Sequence, residues 1–400
     1  MKKRTKLVTI LLSSAFLFGV IGKTSRSFME NKTEVCFAEE SVSGLSVAAK
    51  SAYVMESGTE SMMYQKEENK RLPIASMCKI MTLLLAFEGI EKGVLTMEEE
   101  ICVSENAAGM GGSQVFLEAN AKYPVRELIK SIVVCSANDS CVALAETLAG
   151  SEALFVDKMN EKAKELGLEN TLFANCTGLP KEPQYSSAKD VAKMLNSLIK
   201  HEEYFIFGKI WMDKFEHPEG RYTEISNTNR LVRFYDGCDG GKTGFTNQAG
   251  FCLAATAKRG NMRVISVVIG EENSKRRFED VKATFDYAFA NYSLKTVVEA
   301  SKPLEEKVTT VGGKTKEIAV KPQRDSFVFG KKGVKENVTT EINLASTVKA
   351  PIKAGDTLGE ITVYKDGVKA DSVPLIALED CGKANLFDGL KDIANAWNLS

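Results

Sequence analysis

The sequence predicts an α/β (α+β) domain followed by a smaller all-β domain. Strand-like segments lie near residues 52–66 and again near 251–269, with segments of helical periodicity between them. Beyond about Leu294 the chain changes to short β-branched runs separated by Gly, Pro and Lys. A length of 400 residues is sufficient for both domains. We expect the strands at the two ends of the first domain to share one sheet.

The chain begins with the pattern of an export signal. Basic residues within the first six positions precede an apolar run from Leu7 to Ile21. This run has the length of a signal h-region and is short for a membrane span. Small residues end both 20–22 and 36–38, so two cleavage sites remain open, and an uncleaved anchor is the alternative. We expect residues 1–38 to form the signal and leader, with the cleavage site open, and residues 39–293 to form the first domain.

The elements of the first domain are predicted from periodicity and from turn residues. A segment from Ser76 to about Glu91 is apolar nearly all round, which indicates a buried helix. The other predicted elements are strands Ala52–Glu56 and Met62–Lys66, helices Val125–Cys135, Asp139–Leu148, Ala153–Leu166 and Ala188–Lys200, the hairpin Phe251–Ala257 with Arg263–Ile269, and a helix over about Arg277–Tyr292.

The remainder of the chain is predicted as a β-rich domain over 294–383 and a helix over 384–400. The strand-like runs are Glu317–Val320, Ser326–Phe329, Thr339–Leu344 and Leu358–Tyr364. At the end, Leu386, Leu390, Ile393 and Trp397 recur at helical spacing. Such an amphipathic helix either docks on the protein body or makes peripheral contact with a membrane, and the pattern favours neither.

Composition excludes several classes of function. A net charge of -1 gives no basis for nucleic-acid binding. The only histidines, His201 and His217, are interpreted as surface residues, and without HExxH we expect no metal and no cofactor. The basic run Lys275-Arg276-Arg277 is interpreted as a solvated helix face. Of the nine cysteines, Cys36 leaves with a signal cleaved after 38, and spacing predicts no pairing for the other eight.

The motif Ser-x-x-Lys occurs four times, and physical context separates the copies. A serine hydroxyl needs a base, and lysine serves as one only where burial favours its neutral form. Ser76 and Lys79 stand one turn apart at the start of the buried helix, on the same face. The alternative is a helix-capping serine with an ordinary lysine, although a cation in the first turn opposes the helix dipole. The other copies begin at Ser186, Ser197 and Ser346, in amphipathic helices or the β-rich region.

Two further motifs follow in order along the chain. Ser136-Ala137-Asn138 lies in a tight break between apolar helices, where its side chains face a cleft or simply cap a helix. Lys242-Thr243-Gly244 occurs once. A phosphate-binding P-loop would need a glycine at position 236, which is Asp236, and a helix afterwards, whereas strand follows here.

Together the three motifs resemble the set Ser-x-x-Lys, Ser-x-Asn and Lys-Thr-Gly of the penicillin-binding and serine β-lactamase superfamily. The segments 73–82, 135–145, 184–190 and 239–250 resemble the low-molecular-weight D-alanyl-D-alanine carboxypeptidases. The resemblance implies a β-lactamase/transpeptidase-like fold with a C-terminal all-β domain. In place of an arginine that some members carry in the Asn-x-Asn segment, this chain has Thr228, with Arg230 nearby.

The resemblance also implies roles for individual residues. Ser76 is expected to be the nucleophile, Lys79 its base and Ser136 a proton relay, and Asn138, Lys242, Thr243 and Gly244 are expected to bind substrate. The backbone N–H groups of Ser76 and Phe245 are expected to form the oxyanion hole.

The expected function is a serine-type carboxypeptidase that removes the terminal D-alanine from peptidoglycan stem peptides and binds β-lactams, at the extracytoplasmic face of the membrane or in the wall. The alternatives are a β-lactamase, a catalytically weak penicillin sensor or wall-binding scaffold, and a transpeptidase or endopeptidase.

Overall fold

A computed structural model describes residues 45–385 and residue 388. The predicted export segment 1–38 and nearly all of the predicted helix 384–400 lie outside the described residues.

The first domain is built on a five-stranded antiparallel sheet, with two small two-stranded sheets beside it. The large sheet has the strand order β2-β1-β9-β8-β7, so the predicted sharing of one sheet by the terminal strands is confirmed. The strands are β1 (Ser51–Glu56), β2 (Met62–Lys66), β3 (Glu100–Cys102), β4 (Lys122–Pro124), β5 (Met212–Glu216), β6 (Tyr222–Ser226), β7 (Cys238–Thr246), β8 (Gly250–Arg259) and β9 (Met262–Glu271).

Helices cover both faces of the large sheet. Within the described residues they are α1 (Lys79–Glu91), α2 (Glu105–Ala108), α3 (Val125–Cys135), α4 (Asn138–Ala149), α5 (Glu152–Glu165), α6 (Ala188–Leu198), α7 (Tyr204–Gly208), α8 (Leu231–Phe234) and α9 (Ser274–Asn291), with 3-10 turns at Ala75–Cys78 and Pro218–Gly220. The predicted helix from Ser76 therefore starts as a 3-10 turn, and its α-helical part begins at Lys79.

The two-residue period of the strands divides the interior into two cores. Along β1, Tyr53 and Met55 pack with α1 and α6 in one hydrophobic cluster. Ala52 and Val54 point to the opposite face and pack with α9 in a second cluster. Because both faces are covered, every residue of β1 is buried.

The second domain is all β, as predicted. Its strands are β10 (Tyr292–Val298), β11 (Lys307–Val311), β12 (Glu317–Pro322), β13 (Ser326–Lys331), β14 (Val338–Leu344), β15 (Thr347–Lys349), β16 (Thr357–Lys365) and β17 (Val368–Ala377). Strand β10 pairs with β13, and the other six form a sheet in the order β14-β16-β17-β12-β11-β15. Two small cores, around Val308 and around Val363, fill this domain.

Two predictions made from local composition are wrong. Arg277 is not part of a solvated helix face: it is 9% exposed and lies over the rings of Phe251 and Phe278. His217 is not a surface residue: it is 6% exposed and lies against Tyr123. Tertiary packing, which the local sequence does not show, buries both side chains.

Two further observations concern the helices and the cysteines of the described chain. Between residues 45 and 385 no helix combines the length and apolar character needed to cross a membrane. The eight cysteines from Cys78 to Cys381 are all free thiols.

Candidate active site

The turn that carries Ser76 is held between a loop and an edge strand. Ala75 adopts a left-handed conformation, with φ of 47°. On one side Gly178, with φ of +84°, approaches so closely that a Cβ there would overlap the carbonyl oxygen of Ala75. On the other side a Cβ at Gly244 would lie 2.5 Å from the carbonyl oxygen of Ile74 and 3.3 Å from the backbone nitrogen of Ser76. Glycine at 178 and 244 therefore lets the backbone enclose the half-buried serine.

Lys79 lies at the beginning of α1, directly below Ser76. Its side chain is 0% exposed. Its Nζ atom is 3.0 Å from Ser76 Oγ and donates a hydrogen bond of 2.6 Å to the carbonyl oxygen of Thr177. Burial lowers the pKa of Lys79 because the ammonium form loses its hydration. The short distance and the lowered pKa would therefore allow Lys79 to accept a proton from Ser76.

Buried thiols line the environment of Lys79. Cys78 Sγ donates to the carbonyl oxygen of Asn175 at 3.2 Å, and Cys141 Sγ donates to that of Cys176 at 3.1 Å. Burial raises the pKa of the Cys78 thiol far above its usual range. A neutral thiol stabilises an ammonium less than a carboxylate would, so the effect of burial on the Lys79 pKa outweighs that of Cys78.

Ser136 and Asn138 lie at the break between α3 and α4. Ser136 ends α3 in the left-handed region, with φ of 68°, and is 4% exposed. Its buried Oγ atom has no hydrogen-bond partner within the part of the chain that the structure describes. An unsatisfied buried hydroxyl is costly and is typical of a functional position.

The alternative of simple helix capping is wrong for Asn138. The N-cap of α4 is Ala137, without a side-chain cap, and Asn138 is the first helical residue. Asn138 Nδ2 donates 2.6 Å to the carbonyl oxygen of Gly111, and its backbone N–H donates to the carbonyl oxygen of Ser113. The side chain therefore fixes a neighbouring loop at the cleft instead of capping its own helix.

Lys242 and Thr243 lie on β7, which forms one edge of the large sheet. Lys242 is 2% exposed, and its pKa is lowered well below the usual range, first by burial and then by the charge of Lys79. Thr243 Oγ1 donates to Thr228 Oγ1 at 2.8 Å. The backbone N–H of Thr228 donates to the carbonyl oxygen of Val134, two residues before Ser136. These contacts bring the second and third motifs together.

The peptide unit between Gly244 and Phe245 is held by a hydrogen bond from a buried arginine. Arg277 Nη1 donates a hydrogen bond of 3.3 Å to the carbonyl oxygen of Gly244. Phe245 is half-exposed and stacks on Phe251 at 4.3 Å between ring centroids. Burial lowers the pKa of Arg277 to about 10, yet its guanidinium remains charged at neutral pH.

Sequence reasoning named the motif residues but not their supports. Thr177, Gly178, Thr228 and Arg277 each contact a motif segment, Thr177 and Gly178 through backbone atoms, Thr228 through its hydroxyl and Arg277 through its guanidinium. Of these four residues, only Thr228 could have been identified from the sequence, because it replaces an arginine that some relatives carry in the Asn-x-Asn segment. Of the other Ser-x-x-Lys copies, the segment at Ser186 is structural: the adjacent Ser187 caps α6 by accepting from the N–H of Asp190.

A serine hydroxyl within hydrogen-bonding distance of a buried lysine defines a serine hydrolase whose base is lysine. Neither histidine competes for this role within the described residues. His217 bonds to Tyr123, Arg221 and Thr223, and His201 bonds to Glu91.

Comparison with known proteins gives the family. The family model D-alanyl-D-alanine carboxypeptidase matches residues 38–273, and the model penicillin-binding protein 5, C-terminal domain, matches residues 292–383. The chain is 42% identical to D-alanyl-D-alanine carboxypeptidase DacF of Bacillus subtilis (strain 168), an alignment that covers 89% of this chain and 91% of DacF.

Solved structures agree. A peptidoglycan synthesis regulatory factor (PBP3) from Streptococcus pneumoniae superposes with a TM-score of 0.72 at 26% identity, over 84% of this chain and 100% of that one. Penicillin-binding protein D2 from Listeria monocytogenes, in its ampicillin-bound form, gives a TM-score of 0.56 at 29% identity, over 61% and 99%.

The chain belongs to the D-alanyl-D-alanine carboxypeptidase family of serine peptidases. The fold class and the enzyme class predicted from the sequence are confirmed.

Proposed function

We propose that Ser76 is the nucleophile and Lys79 its base in the removal of the terminal D-alanine from peptidoglycan stem peptides. The observation that carries this proposal is the fully buried Lys79 Nζ at 3.0 Å from Ser76 Oγ. Ser76 attacks the carbonyl between the two D-alanines while Lys79 takes its proton. The resulting acyl-enzyme is then hydrolysed by water.

The developing oxyanion is held by the backbone N–H groups of Ser76 and Phe245. In support, the backbone of Gly244, next to Phe245, closely approaches the Ser76 nitrogen. Removing one such donor typically costs about 3–4 kcal/mol of transition-state stabilisation. Gly244 serves by permitting this approach.

Substrate is bound along the free edge of β7 as an added strand. Thr243 binds the terminal carboxylate, and Asn138 orients the peptide amide. Ser136, with its unpartnered hydroxyl, relays a proton to the departing D-alanine with the help of Lys242.

The substrate carboxylate also sets the protonation of the two lysines. Burial disfavours the charged form of both Lys79 and Lys242, and the charge on Lys79 further disfavours it on Lys242. An anion beside Thr243 favours the ammonium form of Lys242. Repulsion from that ammonium then drives the proton off Lys79, so that substrate binding activates the base.

We infer the placement of the whole chain from the leader-like start and the family. Residues 1–38 are the signal and leader, 39–293 the catalytic domain, 294–383 the β-rich domain and 384–400 an amphipathic helix that either docks on the protein body or makes peripheral contact with the membrane. The protein acts on the extracytoplasmic face of the membrane or in the wall.

Penicillins imitate the dipeptide, and we propose that they acylate Ser76 and leave slowly. The ampicillin-bound form of the Listeria monocytogenes protein supports this for a similar chain. A β-lactamase would instead hydrolyse penicillin rapidly, a penicillin sensor or wall-binding scaffold would release no D-alanine, and a transpeptidase or endopeptidase would join or cut cross-links.

The test is intact mass after addition of penicillin, followed over time, together with D-alanine release from a diacetyl-Lys-D-Ala-D-Ala tripeptide. The wild type should gain one long-lived adduct on Ser76 and release D-alanine. Ser76→Ala should do neither, whereas Ser346→Ala, which alters an exposed Ser-x-x-Lys serine, should behave as wild type. A penicillin adduct on the Ser76→Ala protein would disprove the assignment of Ser76 as the nucleophile.

A further inference from the structure

A small groove lies beside the nucleophile, on the side of Phe245 away from Lys242. Its walls are the segment 73–75, the loop 178–184 and the end of β7. Gln248 Nε2 donates 3.1 Å to Glu182 Oε1 and links the loop to the turn after β7. Leu179 lies 3.8 Å from where a Cβ of Gly112 would stand, and the same Cβ would touch Asn138. The groove therefore continues directly from the active site.

The direction of the substrate follows from the proposed function, on which this inference rests. The terminal carboxylate binds at Thr243, and the scissile carbonyl lies opposite the N–H of Phe245. Each earlier residue of an extended peptide advances about 3.3 Å along the strand. The stem residue that precedes the two D-alanines must then lie beside Thr246, which lines the groove.

The lining of the groove has an apolar part and a charged end. Pro73 and Leu179, both partly exposed, offer apolar surface for methylene groups. At the rim stand two adjacent exposed side chains of opposite charge, Lys181 and Glu182. Among the residues with described positions, Lys181 has no carboxylate partner, and Glu182 uses one oxygen on Gln248.

We propose that this groove binds the stem residue before the D-alanines and favours one whose side chain ends in both an ammonium and a carboxylate. meso-Diaminopimelate has such an end, with its carboxylate for Lys181 and its ammonium for Glu182. Lysine has only the ammonium, which Glu182 attracts and Lys181 repels. The preference therefore depends on Lys181, and the common affinity for an ammonium depends on Glu182.

The test compares two tripeptides that end in D-Ala-D-Ala and differ only in the first residue, either meso-diaminopimelate or lysine. For wild type we expect kcat/KM about two- to five-fold higher for the diaminopimelate peptide, the size of one exposed charge contact. Lys181→Ala should lower the value for the diaminopimelate peptide, raise the value for the lysine peptide and so remove the preference. Glu182→Gln should lower both values by a similar factor.

Matched controls are Lys164→Ala and Glu161→Gln, which remove exposed charges on α5, away from the groove. Neither should change the preference. Equal kcat/KM for the two peptides in wild type, or a preference that survives Lys181→Ala, would overturn the inference alone, provided that D-alanine is released. Release from neither peptide would overturn the proposed function and, with it, this inference.

Discussion

At the scale of single residues, the proposed mechanism depends on the protonation of one buried lysine. Lys79 must be neutral to accept the Ser76 proton, and burial lowers its pKa below the usual value of about 10.4. Below its folded-state pKa the ammonium predominates and acylation is slow. We therefore expect the second-order rate of penicillin acylation to rise with pH and to level off at a lower pH than the titration of an ordinary lysine would give, as measured by stopped-flow or quenched mass spectrometry.

Circular dichroism at each pH is the control for unfolding. A rate that keeps rising until pH 10 or above would show that Lys79 titrates as an ordinary lysine and would contradict its role as the base.

A second residue-scale prediction concerns Arg277, which touches the site only through a carbonyl oxygen. Because the Gly244 carbonyl and the Phe245 N–H belong to one peptide unit, a hydrogen bond to the carbonyl orients and polarises the N–H. Arg277→Met keeps much of the buried volume and removes this donor. We expect acylation to slow about ten-fold, less than the loss of a whole oxyanion donor.

The matched control is Arg276→Met, one residue earlier on α9, where the side chain is half-exposed and faces Asp280. It should leave the acylation rate within about two-fold. A rate unchanged in Arg277→Met would show that β7 holds the peptide unit without this contact.

Single residues also show where sequence reasoning reaches its limit. Burial of Lys79 could be predicted, because the residues that follow it on α1 are apolar nearly all round. Burial of Arg277 could not, because its neighbours Lys275 and Arg276 are solvated and the ring of Phe251 comes from a distant strand. A sequence pattern reports only on residues that are close in the chain, whereas Arg277 contacts the ring of Phe251 on a different element.

At the scale of elements, the junction of β9 and α9 carries an unusual pair of carboxyl groups. Burial raises the pKa of Glu271 to about 8, assisted by a hydrogen bond and repulsion from Asp280. Asp280 accepts a short hydrogen bond from the N–H of Ala48 and faces Arg276. The protonated form of Glu271 is therefore favoured where the strand meets the helix.

This pair makes stability depend on pH. Between about pH 4.5 and pH 8 the folded carboxyl of Glu271 retains a proton that the unfolded chain releases, so stability is lost as pH rises through this range. The slope is at most about 1.4 kcal/mol per pH unit. We expect Tm to fall from pH 5.5 to pH 8.5 and Glu271→Gln, which stays neutral, to flatten the fall. A Tm profile identical in wild type and Glu271→Gln would contradict the raised pKa of Glu271.

Elements differed in how far the sequence could predict them. Strands β8 and β9 could be predicted because they are long, rich in Val, Ile and Ala, and separated by a Gly-containing turn. Strands β5 and β6 were missed because four of the five residues in β5 are exposed and charged or polar side chains dominate both. These two strands form because they pair with each other, from Met212 with Ser226 to Glu216 with Tyr222, and composition does not show such a pairing.

At the scale of the whole molecule, two domains and three motifs could be predicted, but not the contacts that join them. The order Ser76, Ser136, Lys242 could be found in sequence, whereas the hydrogen bond of Thr228 to Thr243 and its link to Val134 could not. Likewise the change of character near Leu294 predicted a second domain without showing what attaches it.

The attachment is made by aromatic packing and a few polar contacts. Tyr292, at the start of β10, stacks on Phe329 of β13 with 5.1 Å between ring centroids and 11° between planes. The Tyr292 hydroxyl donates to the carbonyl oxygen of Met63, in the first domain. Lys332 Nζ donates to the carbonyl oxygen of Phe289, near the end of α9. Because Phe329 packs against the cluster around α9, it couples the β-rich domain to the catalytic domain.

Phe329→Ala should therefore weaken the coupling between the domains without touching the active site. Loss of a half-buried ring and its stacking partner is worth about 1–2 kcal/mol, less than a fully buried Phe→Ala. We expect Tm to fall by about 2–6 °C and the calorimetric transition to broaden or split, with penicillin acylation unchanged within two-fold. Phe327→Ala, on the same strand with no ring contact among the described side chains, is the matched control and should leave a single transition. If both variants give the same single transition as wild type, the Tyr292–Phe329 contact does not couple the domains, and the polar contacts of Lys332 and Tyr292 must hold them together.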